Sequence, residues 1–182
     1  MRALKWLCIW QLVLLCTACV WKPVTYDEET RQSVGTAIAE FRSEDTLERF
    51  FDEAVAYVVF PTSVRAGSGF GGAYGSGWLF EAGDVTGRTT MFEVFAGPNL
   101  GAQAYRSILF FRTDKSLKKF KSGRFEFTGQ ANAAVVTVGA GVTPSFSQEV
   151  AMFTQVRGGL LLEASVGAQR YDFFPLGSPL DE

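Results

Sequence analysis

The sequence predicts an α+β domain, in which two N-terminal helices pack on a curved, mainly antiparallel β-sheet or small barrel with one short inserted helix. Three observations predict it. Apolar residues recur at helical spacing up to Ala54 and, after a short apolar run over 56–60, at a period of two. The segments between the period-two runs are short, and short connections imply antiparallel pairing because parallel strands need long crossovers. Between residues 67 and 78 glycine alternates with larger residues, so one strand face is almost bare. A chain of 182 residues suits one domain, and 47% hydrophobic content is ordinary for a globular protein.

Each element follows from local pattern. Arg2 and Lys5 precede an apolar run from Trp6 to Leu15 and then small residues, the form of a signal peptide over residues 1–18. Lys22 and Pro23 close that run before the roughly 20 residues a membrane span needs, and an uncleaved anchor is the alternative. Residues 19–26 read as a tether, and 27–182 as a single domain without repeats. Over 27–42, Val34, Ala37, Ile38 and Phe41 form a helical face, with Thr25 and Glu28 as a capping box. Over 44–54, Leu47, Phe50, Phe51 and Ala54 form another, with Ser43 as its cap.

The run 56–60 reads as a buried strand stopped by Pro61. In the glycine strand, Gly67, Gly69, Gly71, Gly75 and Gly77 share a face with Ala73, while Gly72 lies on the other with Phe70 and Tyr74. Such a face lets another backbone, a helix or a ligand approach closely. Further strands are predicted at 79–82, 88–96, 101–112, 131–142, 149–157 and 160–171. Turns fall at Gly83-Asp84, Gly97-Pro98-Asn99 and Gly158-Gly159, the last a two-residue hairpin signal. A short helix over 113–121 interrupts the strands.

Composition removes several function classes. Histidine is absent, so Ser-His-Asp and Cys-His catalysis and His-based metal sites are excluded. The 17 basic and 19 acidic residues leave a net charge of −2, with no basic excess to suggest nucleic acid. Cys8, Cys16 and Cys19 all lie in or beside the leader, which excludes a disulfide framework in the domain. Gly67-Ser68-Gly69-Phe70-Gly71-Gly72 satisfies G-x-G-x-x-G, but it continues as a strand and not a helix, so no nucleotide is expected. Ser116-Leu117-Lys118-Lys119 and Lys121-Ser122-Gly123 mimic penicillin-binding motifs but crowd on one helix, where they cannot surround a substrate. No enzyme, metal or cofactor is expected.

Two features point towards membranes. Cys16-Thr17-Ala18-Cys19 resembles a bacterial lipobox with Cys19 as the acylated residue, although Cys16 stands where Leu is preferred. Val20 after that cysteine suggests outer-membrane sorting by the same resemblance; an ordinary cleaved signal is the alternative. Positive charge gathers in residues 61–130, with 9 basic against 5 acidic groups. Lys115, Lys118 and Lys119 share the outer face of the short helix, with Lys121 and Arg124 beyond. That face could hold anionic head groups or be an ordinary solvated surface.

The run from Phe60 through Gly77, Phe60-Pro61-Thr62-Ser63-Val64-Arg65-Ala66-Gly67-Ser68-Gly69-Phe70-Gly71-Gly72-Ala73-Tyr74-Gly75-Ser76-Gly77, resembles the signature of the SYLF domain family. Gly97 with Gly101-Ala102-Gln103-Ala104-Tyr105, and Gly158-Gly159-Leu160 with Gly167, resemble its later elements. The likeness spans residues 28–174, and the leader places it with the family's bacterial lipoprotein branch. Eukaryotic members bind phosphoinositides and other anionic phospholipids, and a yeast relative binds actin. The resemblance thus implies a non-catalytic lipid-binding module, with Arg65 at the family's basic position. Its expected partners are membrane phospholipids, contacted by Arg65, Lys115, Lys118, Lys119, Lys121 and Arg124. The alternative is an envelope scaffold that binds a protein or peptidoglycan and touches lipid only through its acyl anchor.

Overall fold

The computed structural model describes residues 26–123, 126–128, 133–137, 149–163 and 166–177. Helix α1 (Glu28–Arg42) starts at Asp27, whose carboxylate accepts the Thr30 backbone N–H at 2.8 Å. The cap is therefore Asp27 and not a Thr25/Glu28 box; Thr25 lies outside the described residues. That bond, with a further one from the Thr30 side chain, holds the Asp27 carboxyl below its ordinary value. Glu28 and Glu29 in the first turn and Arg42 in the last suit the helix dipole. Val34, Ala37 and Phe41 are buried, as their spacing predicts.

The helix expected over 44–54 is a 3₁₀ turn (Asp45–Leu47) followed by α2 (Glu48–Glu53). Ser43 caps the end of α1 and does not start its successor: its N–H reaches the Ala39 and Phe41 carbonyls. Leu47 and Phe50 are nevertheless both buried.

Strands β1 (Ala56–Glu81) and β2 (Asp84–Phe111) form one very long antiparallel hairpin. Its turn is Ala82-Gly83, with φ of 51° and 92°, the doubly left-handed geometry that matches strand twist. Two expected breaks are absent. Pro61 does not stop β1; the strand absorbs it in a bulge between Phe60 and Ser63, on an edge where a missing N–H is tolerated. Gly97-Pro98-Asn99 is likewise an irregularity within β2 and not a connection.

Helix α3 (Asp114–Lys121) follows, capped by Thr113, whose hydroxyl accepts the Ser116 N–H at 3.2 Å. The remaining strands are β3 (Glu126–Thr128), β4 (Ala133–Thr137), β5 (Val150–Glu163) and β6 (Val166–Pro175). Gly158-Gly159 makes no hairpin. It runs within β5 opposite Ala104 and Gln103, because cross-strand pairing with β2 outweighs the local turn preference. Of the strand expected at 131–142, only β4 lies inside the described residues.

The sheet has the order β3-β6-β2-β5-β4, with β1 on the other edge of β2. Both β5 and β6 use one edge of β2, β6 opposite residues 87–96 and β5 opposite 99–111. Among the described residues all pairs are antiparallel except β4 with β5, which is parallel. Among the described residues β1 pairs only with β2, so the sheet is open and does not close into a barrel.

At Gly69 the backbone takes φ 76°, a conformation that disfavours a side chain, and β1 bends. The register slips there, opposite Gly97 at φ 140°. The far half of the hairpin folds back over the near half, bringing Gly75 and Gly77 against Phe60. Between the halves lies one core, with Val58, Phe60, Leu79, Met91, Leu109, Phe111, Met152 and Tyr171. The alternate residues Val59, Ile108, Phe110, Ala151 and Phe153 meet Val34, Ala37, Phe41, Leu47 and Phe50 in a second core beneath the helices. The near half is buried on both faces, which is why 56–60 is continuously apolar. Helix α3 covers one end of the inner core, where the Phe120 ring lies 4.9 Å from Phe111 and 5.9 Å from Tyr171.

Candidate functional site

The bare face of the glycine strand is filled by the protein itself. A Cβ on Gly71 would collide with the Phe95 ring and come within 2.6 Å of the Ala66 carbonyl. On Gly77 it would lie 2.7 Å from the Phe60 ring, and on Gly75 it would strike the Ser63 hydroxyl. Gly72, on the opposite face, lies over the Glu93 carbonyl, 3.1 Å from a Cβ. The close approach expected of this strand is real, and folding back at Gly69 brings the side chains that fill it. Gly67 pairs with Gly101 across the hairpin.

Arg65 belongs to the same interior. Its guanidinium bonds Glu93 at 2.8 Å and lies over the Phe95 ring at 4.4 Å. Glu93, with its side chain 5% exposed, also accepts from Gln169 at 3.0 Å, and Gln169 accepts the Tyr171 hydroxyl at 2.9 Å. Burial pushes the Tyr171 phenol well above its ordinary pKa, with Tyr105 and Glu93 adding to it. This chain of bonds satisfies groups that would otherwise be costly inside an apolar core.

The lysines lie elsewhere, together on α3. Leu117 and Phe120 bury its inner side, while Lys115, Lys118 and Lys119 are exposed. Lys115 reaches Glu149 at 3.6 Å, but both side chains are wet and such a pair contributes little. Lys121 is different: it bonds Glu81 beside the hairpin turn at 2.5 Å, and Thr86 donates to the same oxygen. Burial pushes the Glu81 carboxyl up, yet the Lys121 and Thr86 bonds outweigh it and leave the pKa lowered. Lys121 thus fastens α3 to the hairpin. Arg124 and Cys19 lie outside the described residues.

Sequence reasoning missed three things. Glu93 could have been found, as an acid between Met91 and Phe95 at an inward position of β2. An exposed apolar stripe is the second. Phe70 is 80% and Leu100 64% exposed, and Val64, Tyr74, Phe92 and Val94 are exposed at the even-numbered positions of β1 and β2. The register sets Tyr74 against Phe92 and Gly72 against Val94. Its signal was the even-numbered face of the glycine strand. The third, a pair of arginines under α1, had no local signal because three strands and a helix assemble it.

No curated protein matches the chain. The family described as "Ysc84: Las17-binding protein actin regulator" matches residues 92–173, from within β2 to within β6. That segment holds the Gly97–Tyr105 and Gly158–Gly167 elements, whereas the longer glycine run lies before it. The match is consistent with the resemblance read from the sequence, that of a member of the SYLF-domain family.

Proposed function

We propose that this chain is a membrane-anchored lipoprotein of the bacterial cell envelope whose SYLF-type domain binds anionic phospholipids and performs no catalysis. In this reading residues 1–18 are removed, Cys19 is acylated, and the domain works at the outer membrane, facing the periplasm. The SYLF family is associated with lipid and actin binding; an exported bacterial chain has no use for actin, so only lipid is carried over.

The observation that carries the reading is the outer face of α3. Lys115, Lys118 and Lys119 stand exposed on a helix whose other side is locked to the core by Leu117 and Phe120. Each basic residue near an anionic surface contributes about 1 kcal/mol, so three together favour binding by roughly a hundredfold. Acyl chains at Cys19 would add about 0.8 kcal/mol per buried CH₂ and keep the domain at the bilayer.

The test uses the chain from Val20 onward, which retains every core residue described. Flotation with vesicles of graded phosphatidylglycerol content should show binding that rises with anionic charge and fades with salt. The K115E/K118E/K119E variant should lose it while staying folded, with only a small fall in Tm. Binding indifferent to vesicle charge would defeat the reading. Mass measurement of the mature N-terminus tests acylation separately.

The exposed stripe from Val64 to Phe92 favours a second reading, an envelope scaffold that docks a protein or peptidoglycan partner. Large contiguous apolar surface commonly marks an interaction site. Association with an envelope component that survives lipid removal and is lost with F70S/F92S would favour that reading.

A further inference from the structure

We propose that the cleft between α1 and the outer sheet surface is a binding site for a phosphate group, separate from the lysine face of α3. The cleft encloses about 290 Å³ and is lined by Glu29, Gln32, Ser33 and Thr36 of α1 with Pro61, Arg106 and Arg157 of the sheet.

Two bulges build it. On β1 the register slips between Phe60 and Ser63, so Pro61 and Thr62 have no ladder partner among the described residues. On β5 it slips between Val156 and Gly158, leaving Arg157 as the extra residue. Both slips flank one stretch of β2, where Tyr105 pairs with Ser63 and with Val156, and Ser107 pairs with Phe60. Bulges re-aim side chains, and here the extra residue is an arginine. Arg157 turns across the sheet to donate to the Thr62 hydroxyl at 2.8 Å and the Pro61 carbonyl at 3.4 Å.

Arg106 sits on β2 between the slips. It is 5% exposed, ion-paired to Glu40 of α1, and its Nε has no hydrogen-bond partner among the described residues. Beside it in register, the buried Oε1 of Gln155 likewise has no partner among the described residues. An arginine this deeply buried is costly unless its donors are used, and one counter-ion does not use them all.

Among the described residues the lining holds two guanidiniums against one carboxylate, Glu29, with the Ser33 hydroxyl and the Gln32 amide beside them, while the Thr36 hydroxyl donates to the Gln32 carbonyl at 2.9 Å. Planar guanidinium donors suit the oxygens of phosphate, and charge-assisted bonds to it are the strong ones. Glu40 already neutralises part of Arg106, so the site suits a singly charged phosphate ester better than a polyanion. The phosphate could belong to a lipid head group or to a soluble ester.

The test is an NMR titration of the labelled chain from Val20 with inorganic phosphate, glycerophosphoglycerol and phosphatidylglycerol vesicles, each against sodium chloride at equal ionic strength. The expected result is saturable shifts at Gln32, Ser33, Thr36 and the Arg106 and Arg157 Nε–H groups. R157Q should weaken binding about tenfold, S33E should abolish it, and E29Q should tighten it a few-fold. All three positions line the cleft outside the core, so the fold is kept. Tighter binding of glycerophosphoglycerol or vesicles than of phosphate assigns a lipid source; the reverse assigns a soluble one. K115E/K118E/K119E should bind soluble phosphate like the parent even if vesicle flotation fails, which separates this site from the lysine face. Shifts matching those from sodium chloride, or variants that titrate like the parent, would overturn the proposal.

Discussion

Gly71 and Gly35 carry the same side chain and opposite consequences. A Cβ at Gly71 meets the Phe95 ring and a backbone carbonyl, whereas at Gly35, exposed on α1, nothing among the described residues lies within 4 Å. We expect G71A to cost about 1–3 kcal/mol by overpacking and G35A to stabilise by up to about 1 kcal/mol through helix propensity. Urea denaturation of both variants checks the contrast; equal effects would mean the strand does not fold against its own far half. Arg65 gives a second expectation at this scale. R65M strands the buried Glu93 carboxylate and should cost about 3 kcal/mol, while R65M/E93M should recover much of the loss. A double variant as unstable as the single one would contradict this. The basic character of Arg65 was plain in the sequence, but its partner lies 28 residues away and was not.

Among the elements, the helices were the most legible. The buried face of α1 follows the spacing of Val34, Ala37 and Phe41, since a helix shows its face within a few turns. The strands were legible as strands but not as lengths. Pro61, Gly97-Pro98 and Gly158-Gly159 are turn formers by local preference, and each lies inside a ladder held by pairing with β2. How α3 is fastened also came only from packing, and it yields a pH dependence. The Glu81 carboxyl is lowered on folding, so its contribution is present above the unfolded carboxylate range near pH 4.3 and is lost as pH falls through the folded value. Wild type should thus be more stable than E81Q at neutral pH, and their Tm values should converge in acid. A constant gap down to pH 3 would remove Glu81–Lys121 from the account.

For the whole molecule, burial is uneven. The near half of the hairpin is covered on one face by the helices and on the other by its own far half, while the far half leaves the stripe from Phe70 to Phe92 in water. Hydrogen exchange should therefore be slowest at Val58–Phe60, Ile108–Phe111 and Ala151–Phe153, and faster around Tyr74 and Val94. Uniform protection along β1 would argue against a two-core arrangement.

The residue string by itself determined the helix faces, the strand periodicity, the bare glycine face and the basic outer side of α3, because each is written within a few neighbouring positions. Only the tertiary structure decided that β1 folds back at Gly69, that Arg65 turns inward to Glu93, and that two bulges bring Arg106 and Arg157 under α1. Those outcomes join residues tens of positions apart, and the free energy selecting them comes from burial and pairing between segments, which no local pattern records.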